Sequence, residues 1–185
     1  MATLEPTRHT LSDGQGAFTI RAATPDDAPA MLDAARDAFR TSPFLLTSPD
    51  EFTMTESEER EFVAGILAHP RQLMLIAEEA GRVLGMLDMR QISIRRKARH
   101  RVLLGMSVRE AFRGRGVGTA LMSRGVHWAR AHPDLSLITL EVYAANTRAI
   151  TLYKRFGFLP KGTLPGGLVH DDGSAWDQVE MYLRV

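Results

Sequence analysis

Residues 113–121 read RGRGVGTAL: three glycines at alternate positions, arginines before and between them, and an apolar run behind. Glycine at that density weakens both helix and strand, so the stretch marks a loop between better-patterned neighbours. Ahead of it, VLLGMSV (102–108) has the apolar content of a strand. Behind it, TALMSRGVHWARAH (119–132) puts Leu121, Gly125, Trp128 and Ala129 on one helical face, with Val117 ahead of them. A loop between a strand and a helix N-terminus presents unpaired amides that, with the helix dipole, favour an anion. Glycine lets that anion approach with no Cβ in the way. The competing reading is a turn that simply needs room.

The spacing narrows the choice of anion. A nucleotide-triphosphate loop requires Lys-Ser or Lys-Thr after its last glycine, whereas Gly118 is followed by Thr119-Ala120. A dinucleotide fingerprint spaces its glycines G-x-G-x-x-G and opens its domain. Here Gly114, Gly116 and Gly118 run G-x-G-x-G, and more than half of the chain precedes them. An NAD(P)-binding oxidoreductase survives only because Glu141, on the next strand, can imitate the ribose-binding acid.

Working outward, FTIRAA (18–23) reads as a strand running into Thr24-Pro25-Asp26-Asp27, a helix start with cap, proline and acids in place. Ala28, Met31, Leu32, Ala35 and Phe39 form the apolar face of that helix. Residues 40–52, with two prolines, are a loop. Thr55-Glu56-Ser57-Glu58 is a second capping signal, continued by Phe62, Val63, Ile66 and Leu67. QLMLIAEE (72–79) and RVLGMLDMRQIS (82–93) form a hairpin around Ala80-Gly81. LSLITLEVY (135–143) is a strand, NTRAITLYKRF (146–156) a helix ended by Gly157, and 168–183 a hairpin turning at Asp171-Asp172-Gly173. The order β-α-α-β-β-β-α-β-α-β-β predicts one mixed α/β domain over 18–185, behind a polar, flexible leader at 1–17.

Composition sets the outer bounds. The 185 residues suit one domain, and 44% hydrophobic with 24% charged residues is ordinary for a globular chain. A net charge of +1 points to no nucleic-acid partner. The absence of cysteine removes disulfides, thiolate metal sites and a cysteine nucleophile, and no metal is expected. No signal-peptide pattern and no membrane-length apolar run is present, so a cytoplasmic location without membrane contact is the expectation.

Two blocks together carry a family resemblance. Arg113-x-x-Gly116-x-Gly118 resembles the acetyl-CoA-binding segment of the GNAT N-acetyltransferases, Gln/Arg-x-x-Gly-x-Gly/Ala. Asn146-Thr147-Arg148-Ala149-Ile150-Thr151-Leu152-Tyr153-Lys154-Arg155-Phe156-Gly157-Phe158 resembles that family's N-x-x-A-I-x-L-Y-x-x-x-G-F segment at each signature position. The likeness follows element order over 18–185, is strong over 101–158, and is closest to the bacterial branch acting on free amino acids or protein N-termini. It implies a GNAT fold: a mixed, mostly antiparallel sheet flanked by helices and splayed between the fourth and fifth strands, here 102–108 and 135–143. Dimers are common among similar proteins.

The resemblance also implies roles. Coenzyme A would lay its pyrophosphate on the amides of Gly114, Arg115, Gly116, Val117, Gly118 and Thr119, with Arg113 also among the cofactor-binding residues, and its pantetheine arm along Met106, Ser107 and Val108. Gly105 is a plausible bulge starting the splay, with an amide aimed at the thioester carbonyl. Tyr153 takes the acid role beside the sulfur, and Asn146 faces the same arm or caps its helix. A free amine is mostly protonated at neutral pH, so a base is needed. Glu141, partly buried on the strand ending at the cleft, is the candidate, against the reading of a surface acid. His100, His127 and His170 have no motif behind them. Asp50, Glu51, Asp171, Asp172 and Asp177 are either acceptor-attracting acids or ordinary turn acids. The run Arg95, Arg96, Lys97, Arg99, Arg101 is a solvated hairpin tip, or a contact for the 3′-phosphate of coenzyme A or for an acidic partner.

The implied activity is direct acetyl transfer from acetyl-CoA to a primary amine of a small molecule, of amino acid or polyamine type, or of a protein N-terminus. The rival from another class is a non-catalytic acetyl-CoA-binding module.

Overall fold

A computed structural model describes residues 4–185. Its strands are β1 Thr7–Thr10, β2 Ala17–Ala22, β3 Leu73–Glu79, β4 Arg82–Gln91, β5 Arg101–Val108, β6 Leu137–Tyr143, β7 Leu159–Val169 and β8 Ala175–Arg184. Its helices are α1 Ala28–Thr41, α2 Glu56–Ala68, α3 Val117–Ala131 and α4 Thr147–Arg155. The strands make one eight-stranded sheet in the order β1-β2-β3-β4-β5-β6-β8-β7, antiparallel except where β5 meets β6.

Alternation along the strands divides the core in two. Leu75, Leu87, Met89, Val102, Leu104, Ile138 and Leu140 face α3, which answers with Val117, Leu121, Met122, Val126 and Ala129. Met74, Ile76 and Val83 face the other way, against Met31 and Ala34 of α1 and Val63 and Ile66 of α2. Both faces of β3 and β4 are therefore covered, which is why those strands read as nearly continuous apolar runs.

The splay lies where the sequence put it. β5 and β6 pair only at Arg101↔Leu137, Val102↔Ile138 and Leu103↔Thr139, and then diverge. Beyond Leu103, β5 keeps its bonds to β4 and, among the described residues, has no strand on its other edge. Gly105 is not a bulge. It stands opposite Asp88 in an unbroken β4–β5 register. What it supplies is space: a Cβ there would lie 2.6 Å from the Asp88 Oδ1.

Three expectations need correction. Residues 7–10, assigned to a flexible leader, form β1 and pair with β2 from Thr7↔Ile20 to Thr10↔Ala17. Pro25–Asp27 form a separate 3-10 turn, and α1 starts at Ala28. The C-terminal hairpin is longer than its 168–183 reading, since β7 starts at Leu159 and runs through Pro160, Pro165 and three glycines as an edge strand. An edge tolerates proline because one row of its amides needs no partner.

The capping box at the start of α2 forms as read. The Thr55 amide and hydroxyl both donate to the Glu58 carboxylate, and the Glu58 amide donates to the Thr55 hydroxyl. Thr55→Ala is expected to cost about 1 kcal/mol and to lower Tm by about 2–4 °C, measured by thermal melting.

Candidate functional site

The glycine loop joins the end of β5 to α3. Gly114 and Gly116 have φ of +83° and +91°, and Gly116 is the N-cap of α3. Only glycine holds that left-handed geometry without strain. The amides of Gly114, Gly116, Val117, Gly118 and Thr119 donate to no protein acceptor among the described residues, whereas Ala120 already donates to the Gly116 carbonyl. These amides and the positive end of α3 suit an anion.

The two arginines of the loop have protein partners instead. Arg113 donates from Nε to the Val108 carbonyl and from its terminal nitrogens to the Thr41 carbonyl and hydroxyl, at 2.8–2.9 Å. It thereby ties the end of β5 to the end of α1. Arg115 turns outward, with Nε to Asp13 at 2.6 Å and Nη2 to the Gln15 carbonyl at 3.2 Å. That guanidinium holds the Asp13 carboxyl below its ordinary range. The Ser12 amide donates to the Arg115 carbonyl, so the turn between β1 and β2 braces the loop from outside. Nothing in the polar leader signalled that brace. The Arg113 and Arg115 amides are engaged as well, donating to the Glu110 and Phe112 carbonyls, so the free amides of the loop are those of its glycines, Val117 and Thr119.

From the loop a cleft of about 1630 Å³ follows the unpaired edge of β5 past Met106, Ser107 and Val108. α4 forms the opposite wall. Asn146 is its N-cap, and the Asn146 Oδ1 accepts from the Ala149 amide at 3.1 Å. Two residues on, the Arg148 guanidinium stands over Gly114, where an added Cβ would lie 3.1 Å from Nη2. Tyr153 lines the same cleft while packed against Phe158. Burial pushes its phenol up to about 12, so it is a neutral hydroxyl at any ordinary pH.

Glu141 faces the cleft from β6, but it is exposed rather than partly buried, and its Oε2 accepts from the Gln178 Nε2 at 2.7 Å. The other acids named from sequence do not line the cleft. Glu51, Asp172 and Asp177 accept amide hydrogens from Ser48, Ser174 and Gly166, the work of turn residues. Asp50 and Asp171 are exposed and also lie outside it. Nor do His100, His127 or His170 line it; His170 instead packs at 4.5 Å on Trp176, within a cluster that includes Tyr143 and Phe44. That cluster pins the loop after α1 to β6 and the β7–β8 hairpin. The basic run at 95–101 enters β5 at the end opposite the glycine loop, about 25 Å away along the strand. It is out of reach of an anion held on the loop.

Two acids missed in the sequence do face the cleft, on the side of α1 and α2. Glu59 belongs to α2 and is only 7% exposed; Asp88 belongs to β4 and is paired with Arg90 at 2.7 Å. Burial pushes both carboxyls up, and the charge of Asp88 adds to the effect at Glu59. Asp88 left a trace in the sequence, as a lone acid inside an apolar strand.

Comparison with known proteins agrees with this geometry. The Acetyltransferase (GNAT) family model matches residues 30–158. An uncharacterized N-acetyltransferase of Methanocaldococcus jannaschii is 27% identical over 154 residues, which are 82% of this chain and 65% of that protein. The chain thus spans just under two thirds of that relative's length. A GNAT-family acetyltransferase from Streptococcus pneumoniae superposes with a TM-score of 0.87 at 24% identity, covering 91% of this chain and 99% of the other. A structure from Salmonella typhimurium, determined with its cofactor acetyl-CoA, gives 0.80 at 22% identity over 90% of this chain and 93% of its own. The fold, the splayed strands and the family match lead to one conclusion: this chain belongs to the GNAT acetyltransferase family.

Proposed function

We propose that the chain is an acetyl-CoA-dependent N-acetyltransferase that passes the acetyl group directly to a primary amine. The acceptor is a small molecule, of amino acid or polyamine type, or a protein N-terminus. One observation carries this reading: unengaged amides at the glycine loop, the unpaired edge of β5 and the neutral phenol of Tyr153 all line a single cleft.

Acetyl-CoA, when bound, supplies an activated thioester. The free amides of Gly114, Gly116, Val117, Gly118 and Thr119 are the natural cradle for its pyrophosphate, and the β5 edge at Met106, Ser107 and Val108 can pair with its amide-bearing arm as an added strand would. Asn146 and Tyr153, seven residues apart, are separated by about 10 Å along α4 and can both face that arm. Tyr153 donates to the leaving sulfur. Glu141 is the accessible carboxylate that takes the proton from the incoming ammonium, directly or through water.

A thermal-shift screen tests the ligand class. Acetyl-CoA should raise Tm and NAD(P) should not; the reverse would move the chain to dinucleotide chemistry. Acetyl-CoA binding without thiol release against any amine would make it a binding module.

A further inference from the structure

We propose that Glu59 and Asp88 form a receiving site for a second positive charge on the acceptor, so that the preferred substrate is a diamine rather than a monoamine. This rests on the transferase reading above and names the substrate class of the same cleft. The charges in this corner do not balance. Two carboxylates face one guanidinium, and Arg90 is committed to the Asp88 Oδ2 while lying over the Phe62 ring at 5.9 Å. The Glu59 side chain has no hydrogen-bond or ion-pair partner among the described residues, although Glu59 is more than nine-tenths buried and lines the cleft. Its carboxylate oxygens keep contact with the cleft but meet no counter-charge there; a largely buried carboxylate gains from one, and a cationic ligand in the cleft supplies it.

Position supports the same occupant. Asp88 stands beside Gly105, whose missing side chain leaves room for the carboxylate at the first stretch of β5 beyond its pairing with β6. An acceptor amine at the unpaired edge of β5 is therefore about one to two strand spacings, roughly 5–10 Å, from these carboxylates. A four-carbon diamine spans about 6 Å between its nitrogens. It can present one amine at the splay while the other rests against Glu59, with Phe62 and Met86 lining the apolar passage beside it.

Diaminobutane and butylamine carry the same reacting amine on the same chain and differ by one charge. Wild-type protein should favour diaminobutane in kcat/KM by tenfold or more, and Glu59→Gln should bring that ratio close to one. Calorimetric titration with diaminobutane reads the site without turnover: wild type binds, and Glu59→Gln binds at least tenfold more weakly. Because an uncompensated buried charge is removed, Glu59→Gln should also melt at a higher temperature than wild type. Asp88→Asn should reduce the preference in the same direction. Equal use of the two amines by wild type, a ratio unchanged in Glu59→Gln, or an equal loss of both amines in that variant would each overturn the proposal. Diaminobutane binding without thiol release would sink the transferase reading and leave this site standing. Thiol release with other amines but no diaminobutane binding would do the opposite.

Discussion

Replacing Tyr153 by Phe should lower kcat by about a hundredfold while leaving the Kd for acetyl-CoA nearly unchanged. The phenol is buried in the α4 wall, touches Phe158, and its ring packs with the main core. Phe keeps that packing and removes only the hydroxyl, so folding should survive. The hydroxyl's high pKa of about 12 defines how it works. A thiol titrates near 8.5, so complete proton transfer from the resting phenol to a thiolate is uphill by roughly 5 kcal/mol. Tyr153 therefore acts by holding a hydrogen bond on the sulfur as negative charge develops there, while the ammonium formed on attack supplies the net proton. Loss of a donor aimed at developing charge reduces kcat, not ground-state affinity. Steady-state kinetics with a direct binding measurement checks the split, and equal losses in kcat and affinity would reduce Tyr153 to a packed aromatic. The pH dependence has a definite sign. A phenol raised in the folded state adds stability that is complete below pH about 10 and lost as pH climbs towards about 12. The Phe variant should lack that alkaline loss.

Gly116→Val should weaken acetyl-CoA binding by tenfold or more and destabilise the fold by about 1–3 kcal/mol. The cause is backbone strain rather than collision, since a Cβ at Gly116 would meet nothing closer than Ser12 at 3.9 Å. A β-branched residue does not hold φ +91°, and relaxing that angle swings the amides of Val117, Gly118 and Thr119 off their common target. Asparagine tolerates the left-handed region, so Gly116→Asn should recover most of the lost stability. Thermal melts and calorimetry of the two variants separate strain from blockage: if Asn and Val lose stability alike, strain is not the cause.

The sequence was readable where chemistry depends on contiguous residues. The glycine loop, the α4 block and the Thr55–Glu58 cap each lie within one short stretch, and each took its expected place in the fold. β1 and β7 were hidden because they are edge strands: one is short and polar, the other broken by prolines and glycines, and neither has an apolar alternation to show. Glu59 and Asp88 come from α2 and β4, and they line one cleft only because α2 folds back over the sheet, against Met74 and Ile76 of β3. The turn acids and histidines looked just as promising in one dimension. Only the fold separates the carboxylates that face the cleft from those that close turns.

The central claim is that this cleft moves acetyl from acetyl-CoA to an amine, and one assay tests it most directly. Incubation of the protein with acetyl-CoA and a panel of primary amines, including diaminobutane, is followed by free-thiol release and by mass spectrometry of the amines. Thiol and N-acetylated amine should appear in equal amounts and be lost in parallel in Tyr153→Phe. Bound acetyl-CoA with neither product from any amine would contradict it.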